Sequence, residues 1–426
     1  MHPFTGGGLA LADAILWRMQ CFAITPPGLA PLCAAELQKL GIAAAPDAAG
    51  AGVSWDSDDL RTVYRANLEV RTASRVVVRA GSFRARTFAE LERRASKLPW
   101  REFLAPGAAV SLRVTSRKSR LYHTDAVAER LLRVLGDAAG VRDAGVVITD
   151  DADDVGSAGV DAVSGSGAVS AADVAQLIIV RLHRDECTIS VDGSGALLHQ
   201  RGYRQALAKA PVRETLAAAM LLASGWRGDS PLADPLCGSG TIPIEAALLA
   251  RHIAPGLARP DHRPRSYAFE QWPRFDGSLW DDVVTHARSA IRGAPGVTIH
   301  GWDRNAGAIS AARANAARAG VSEDVSFAVR PLAELEVPPG PGAIVTNPPY
   351  GVRVGTGASV KGLYLELGRA ARVRAPGWTL TILSADDRLA SAIGVPLQEQ
   401  LRTSNGGIPV RIVTGVIPGS AGVSGV

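Results

Sequence analysis

Apolar positions fall into short β-branched runs and longer stretches of helical spacing, and the way the two kinds alternate changes partway along the chain. Early on, Cys21 to Leu29 reads as a strand interrupted by Pro26 and Pro27, Ala30 to Leu40 as a helix, and Val53-Ser54-Trp55 as a short strand. Asp58 to Ala66 has helical spacing and Ser74 to Ala80 strand character, the mixture expected of a small α+β unit. Ala108 to Val114 then predicts a strand and Asp125 to Leu135 a helix. Leu177 to His183 and Cys187 to Val191 predict a hairpin closed by the turn Asp192-Gly193-Ser194-Gly195. Between them, Asp150 to Ala172 has neither period and reads as a flexible insertion.

Beyond residue 200 strand and helix patterns take turns, which predicts an α/β domain with a mostly parallel sheet. Lys209 to Ser224, Ile242 to Ala250 and Ala306 to Ala319 read as helices. Val297 to Asp303, Val325 to Val329, Trp378 to Ser384 and Val410 to Ile417 read as strands, with Asn405-Gly406-Gly407 as the turn before the last. One segment, Ile253 to Arg292, carries Pro255, Pro260, Pro264 and Pro273 with Trp272 and Trp280, and its pattern assigns it no role.

A length of 426 residues suffices for two or three domains. The formal charge of +5 fits a polyanionic partner, although an Arg-rich genome composition explains it equally well. Its distribution adds more: Arg71 to Arg133 holds fifteen Lys/Arg against five Asp/Glu, so the remainder is net acidic. Cys21, Cys33, Cys187 and Cys237 have no metal-ligand spacing, which predicts no metal and a reduced, cytoplasmic setting. No apolar run reaches membrane-spanning length. The first eighteen residues match neither a secretory signal nor a membrane span, and read as an over-extended start.

Chemistry concentrates at two strand ends. Ile344-Val345-Thr346 is a buried-strand run that must stop at Asn347, because Pro348 and Pro349 have no N–H to extend a ladder. The corner is stiff, and the ring of Tyr350 follows it. A side-chain amide oxygen, the Pro348 carbonyl and an aromatic face match a planar base whose exocyclic amine donates two hydrogens. The same residues also read as a proline-stiffened loop with Asn as its turn residue. The second strand end is Asp234-Pro235-Leu236-Cys237-Gly238-Ser239-Gly240-Thr241, a strand, glycine turn and helix start where a backbone can approach a ligand closely. Asp303, at the end of the next strand, is placed to accept hydrogen bonds from ribose hydroxyls. It lies further from the turn than the roughly 20 residues of a dinucleotide fold, and the segment Ile253 to Arg292 accounts for the excess.

In the basic region, Thr115 to Thr124 reads as a polar loop in which Arg117, Lys118 and Arg120 meet phosphates and Tyr122 or His123 stacks on an unpaired base. A solvated loop with Thr124 as helix cap is the alternative.

With these stretches the chain resembles the class I S-adenosylmethionine-dependent methyltransferases, and within them the THUMP-domain RNA guanine-N2 methyltransferases. The resemblance rests on Leu198 to Arg204, Pro211 to Leu216, Asp234 to Thr241, Gly301-Trp302-Asp303, Ala268 to Trp272 and Thr346 to Gly351. It implies a Rossmann-like seven-stranded domain over 200–420, preceded by a tail (1–19), a ferredoxin-like module (20–75) and a THUMP domain (76–195, with the insertion at 150–172). It further implies catalysis by Asn347, Pro348 and Tyr350. S-adenosylmethionine would be held by Asp234, Cys237, Gly238, Ser239, Gly240, Thr241 and Asp303, with Arg213 and Glu214 at its methionine side, though those two also read as a solvated ion pair. RNA would be held by Arg117, Lys118, Arg120, Tyr122, His123 and Arg204. The expected partner is rRNA or tRNA and the expected state a monomer, and Cys237 reads as a small buried thiol, since amine methylation needs no covalent intermediate.

Arg330-Pro331 departs from the resemblance, standing where the family offers an acid near the adenine. The Asn-Pro-Pro-Tyr element is shared with DNA adenine-N6 methyltransferases, which leaves that substrate as an alternative. A non-catalytic RNA-binding protein with a decayed pocket is a second.

Overall fold

The computed structural model describes residues 18–48, 50–140, 142–148, 175–205, 212–350 and 357–419. The expectations for the first seventeen residues, for Asp150 to Ala172 and for the first residues of the helix at Lys209 lie outside these.

The first half builds one eight-stranded sheet. Its strands are β1 (Met19–Ile24), β2 (Ala45–Pro46), β3 (Gly52–Ser57), β4 (Arg75–Arg84), β5 (Ala109–Arg117), β6 (Arg142–Ile148), β7 (Gln176–His183) and β8 (Glu186–Asp192), in the order β2-β3-β1-β4-β8-β7-β5-β6. Helices α1 (Ala30–Lys39), α2 (Leu60–Glu69), α3 (Phe88–Ala95) and α4 (Thr124–Ala139) accompany it. β4 pairs antiparallel with β1 on one side and with β8 on the other, so the limit expected at residue 75 falls at its first residue and the two modules share a ladder.

Two local expectations need correction. Thr115, Ser116 and Arg117 belong to β5 and not to a loop, because parallel pairing with β7 continues as far as Arg117 opposite His183. Helix α4 begins at Thr124 with His123 as its N-cap, so Thr124 is not the cap.

The second half builds the seven-stranded, mostly parallel sheet. Its strands are β9 (Leu232–Asp234), β10 (Ile299–Asp303), β11 (Ser326–Val329), β12 (Ala343–Thr346), β13 (Thr379–Ser384), β14 (Gln398–Asn405) and β15 (Ile408–Val416), in the order β11-β10-β9-β12-β13-β15-β14. The first five run parallel, and β15 and β14 are antiparallel. Helices α5 (Glu214–Ala223), α6 (Thr241–Ala250), α7 (Gly277–Ser289), α8 (Ala306–Ala319), α9 (Gly357–Arg374) and α10 (Asp387–Ala392) pack around it. Strand β14 has no signal in the hydrophobic pattern, since Gln398 to Asn405 is almost wholly polar. Its ladder to β15, bulged between Glu399 and Leu401, is what makes it a strand. Chain order reverses between β9 and β12, and open α/β sheets leave their ligand crevice at such a switch point, outside the carboxyl ends.

The segment Ile253 to Arg292 joins the two halves. Arg265 is buried, and its guanidinium donates to the carbonyls of Ser194 (2.8 Å), Ala196 (2.5 Å), Leu197 (3.0 Å) and Gln200 (3.3 Å) while lying over the Tyr267 ring. Phe269 meets the Tyr64 ring of α2 at 4.6 Å, and Trp272 Nε1 donates to Gln176 of β7 at 3.0 Å. Arg71 reaches back to the Ile253 carbonyl at 2.6 Å. Buried carbonyls leave few alternatives to such donors, so Arg265, Phe269 and Trp272 of this segment serve as a brace between the sheets.

Candidate active site

The two chemistry-bearing strand ends are neighbours, because β9 and β12 pair directly. Asp234 closes β9 and is buried at 2% exposure. Its Oδ1 accepts the Thr346 hydroxyl at 2.6 Å and the Leu236 N–H at 3.2 Å. Burial pushes the Asp234 carboxyl up to about 7, against those two bonds, and the charge of Asp303 adds to the rise. Thr346 immediately precedes Asn347, so a single hydroxyl ties the glycine turn to the proline corner.

The turn itself is shaped by backbone needs. Gly238 has φ +53° and Gly240 φ +83°, the left-handed region. A Cβ on Gly240 would lie 2.9 Å from the Ala312 Cβ of α8 and 3.0 Å from the Phe327 ring, so the second glycine also lets α6 and α8 close on each other. Gly238 N donates to Asp303 Oδ2 at 3.1 Å and Asn305 N to Asp303 Oδ1 at 2.9 Å. Each carboxylate oxygen has further lone-pair capacity, which suits ribose hydroxyls. The Ser239 carbonyl accepts from Asn315 Nδ2 at 3.0 Å, and Thr241 opens helix α6. Cys237 is buried and burial holds its thiol well above the usual range, in keeping with a packing role. An open glycine backbone, an acid at each of two adjacent strand ends and a helix start fit a ligand with an amino-acid end and a ribose.

Asn347 follows β12, and among the described residues its Oδ1 is buried without a hydrogen-bond partner. A buried amide oxygen in that condition costs about 1–3 kcal/mol unless a donor arrives. Pro348 is buried and Tyr350 half-buried, with its hydroxyl accepting from Asn405 Nδ2 at 2.7 Å.

Arg213 and Glu214 stand at the start of α5, as expected, but Glu214 is no solvated ion pair. It is 2% exposed, and its Oε1 is 3.1 Å from Arg204 Nε. Burial raises the Glu214 carboxyl to about 7 despite that partner. Arg204, expected at the RNA, also donates to the Val212 carbonyl at 3.1 Å, so its guanidinium is committed to the start of α5. Arg201 and Tyr203 are likewise engaged, with Nε 3.5 Å and the hydroxyl 2.9 Å from Glu245 of α6. The stretch from Leu198 to Arg204 thus fastens the first half of the chain to α6. Where an adenine-side acid was expected, Arg330 lies over the buried Trp302 ring and pairs with Glu336 at 3.1 Å.

In the first half, Arg117, Lys118, Arg120, Tyr122 and His123 are all exposed, and the rings of Tyr122 and His123 lie 4.0 Å apart. Asp185, at the tip of the β7–β8 hairpin, organises this loop. Its carboxylate accepts from Arg120 N (2.8 Å) and Arg86 Nε (3.3 Å), its N–H donates to Ser119 Oγ (3.0 Å), and the Arg120 amide in particular holds the carboxyl below its usual range. The hairpin brings Arg181, His183 and Arg184 to the same surface, and the surrounding cations add to a desolvation that lowers the His183 imidazole. No motif in the sequence marks these three; the register of β7 against β5 places Arg181 and His183, and Arg184 follows in the hairpin turn.

Comparison with known proteins agrees with this geometry. Residues 201–413 match the family described as "RMKL-like, methyltransferase domain", and residues 20–77 match the RlmL ferredoxin-like domain.

The chain belongs to the RlmL-like methyltransferase family.

"Putative RNA methyltransferase slr0064" of Synechocystis sp. (strain ATCC 27184 / PCC 6803 / Kazusa) is 30% identical over 92% of this chain and 95% of that protein. SMU.472, crystallised in complex with SAH, is 27% identical with a TM-score of 0.79, over 94% of this chain and 98% of its own. A "predicted N6-adenine-specific DNA methylase" from Listeria monocytogenes str. 4b F2365 is 28% identical with a TM-score of 0.75, over 93% of this chain and 96% of its own. The fold is that of class I methyltransferases behind a ferredoxin-like domain, and the cofactor is S-adenosylmethionine. Among the described residues no helix is long and apolar enough to cross a membrane.

Proposed function

We propose that this RlmL-like enzyme methylates the exocyclic 2-amino group of a guanosine in structured RNA, rRNA or tRNA. The observation that carries the reading is the buried Asn347 Oδ1, unpaired among the described residues and one residue beyond the hydroxyl that ties the corner to the cofactor turn. Bound S-adenosylmethionine supplies an electrophilic methyl group on a sulfonium. Asp303 and the Gly238 to Gly240 backbone would hold its nucleoside side, and Arg213 and Glu214 would border its methionine side.

The chemical difficulty is an amine whose lone pair is delocalised into its ring. Asn347 Oδ1 and the Pro348 carbonyl accept its two N–H bonds, draw the nitrogen toward tetrahedral geometry and aim its lone pair at the methyl. A methylated amine is acidic enough to give its proton to solvent, so the corner needs no general base. Tyr350 stacks on the extruded base, a contact worth about 1–3 kcal/mol in such sites.

The exposed cations from Arg117 to Arg120 and at the tip of the β7–β8 hairpin support RNA over DNA. They flank two exposed rings and lie in the half that we read as ferredoxin-like module plus THUMP domain. Such a surface holds phosphates by charge and unpaired bases by stacking. We place the enzyme in the cytoplasm, where its four buried, unpaired cysteines stay reduced.

The test is transfer of tritiated methyl to total RNA and to DNA from a strain lacking the gene, followed by nucleoside mass spectrometry. N2-methylguanosine in RNA is the expected product. N6-methyladenine in DNA would replace this reading with the substrate named for the Listeria relative.

A further inference from the structure

We propose that Asn405, at the end of the edge strand β14, is a positioning residue that holds the Tyr350 ring in the plane an incoming base must meet. The proposal rests on the reading above, in which Tyr350 stacks on the target base.

Asn405 ends β14 opposite Ile408, the first residue of β15. The two residues between them, Gly406 and Gly407, have φ +57° and +80°, the positive pair of a type I′ hairpin turn. That turn matches the twist of its strands and leaves Asn405 little freedom. Its Nδ2 donates to the Tyr350 hydroxyl at 2.7 Å across 55 residues of chain. The other end of the tyrosine is set by the backbone of the double-proline corner, so the ring is held at both ends. Tyr350 also packs against the apolar cluster that Leu401 of β14 joins. Burial raises the Tyr350 phenol, and the Asn405 amide that donates to its oxygen partly opposes the rise. A ring held this way meets the base already ordered, whereas a ring tied only at its backbone must be ordered on each turnover.

RNA affinity comes mainly from phosphate contacts in the first half of the chain, so a loss of base stacking after docking falls on kcat more than on KM. A single net hydrogen bond corresponds to a factor of about 3 to 10. Asn405→Ala should therefore lower kcat about 3- to 10-fold while KM for RNA and affinity for S-adenosylmethionine stay within about twofold. Tyr350→Phe should do the same, and the double variant should be no slower than either single one. Where alanine disturbs the turn, Asn405→Ser gives the same reading, because its hydroxyl is too short to reach the ring.

Multiplicative losses in the double variant, or an unchanged kcat in Asn405→Ala, overturn the positioning role while leaving the methylation reading in place. Wild-type protein that transfers no methyl to RNA overturns both.

Discussion

The glycine turn after β9 and the proline corner after β12 stand side by side, yet their polar groups are treated oppositely. Asp234 is bonded by Thr346 and Leu236, and Asp303 by Gly238 and Asn305. Asn347 Oδ1 is buried with nothing to bond among the described residues. The turn holds its shape before any ligand arrives, as a cofactor cradle should. The corner keeps an unmet acceptor, and the free energy withheld there is recovered only when a donor enters. Binding of cofactor and turnover of substrate should therefore fail separately when the two are damaged.

The largest effect is expected at the corner. Asn347→Ala should lower kcat by about 100- to 1000-fold, the scale seen on removing one polar group aimed at a transition state. Its affinity for S-adenosylmethionine in calorimetry should match the wild type. A kcat within tenfold of normal would break the contrast.

At the turn the order reverses. Gly240→Ala puts a Cβ at φ +83° and 2.9 Å from Ala312, with a strain cost of about 1–3 kcal/mol. Cofactor affinity should fall about tenfold and the urea midpoint should drop. Normal affinity in a destabilised variant would show that the glycine serves helix packing alone.

The smallest effect is a pH slope. Asp234 has a folded pKa of about 7, against about 3.9 for an unfolded aspartate. Between those values the folded chain keeps a proton that the unfolded chain has released. This group therefore makes stability decline as pH rises from about 4 to 7, and adds no further slope above that. The urea midpoint of Asp234→Asn should vary less steeply across that window than that of the wild type. Equal slopes would mean that this carboxylate is not held protonated.

How much was legible followed the range of the interaction. Asp234, the glycine turn and the Asn347 corner could be read because proline, glycine and β-branched runs act on the nearest few residues of backbone. The pairing of Arg204 with Glu214 is not legible, because an arginine in a linker looks available until its partner is known, and Glu214 lies ten positions away on the next helix. Strand β14 was missed for a related reason. Polar edge strands carry no period, and only the ladder to β15 makes Gln398 to Asn405 extended.

Local chain chemistry alone determined that a parallel α/β domain would present an acid, a glycine turn and a stiff Asn-Pro-Pro-Tyr corner at its strand ends. Tertiary structure decided which groups would be spent on one another. Thr346 was given to Asp234 across 112 residues, Asn405 to Tyr350 across 55, and Arg265 to four carbonyls of the linker, while Asn347 Oδ1 was left unmatched among the described residues. The reason is physical: conformational preference is set by neighbours in sequence, whereas the pairing of a buried polar group is set by whatever folding brings within 3 Å of it.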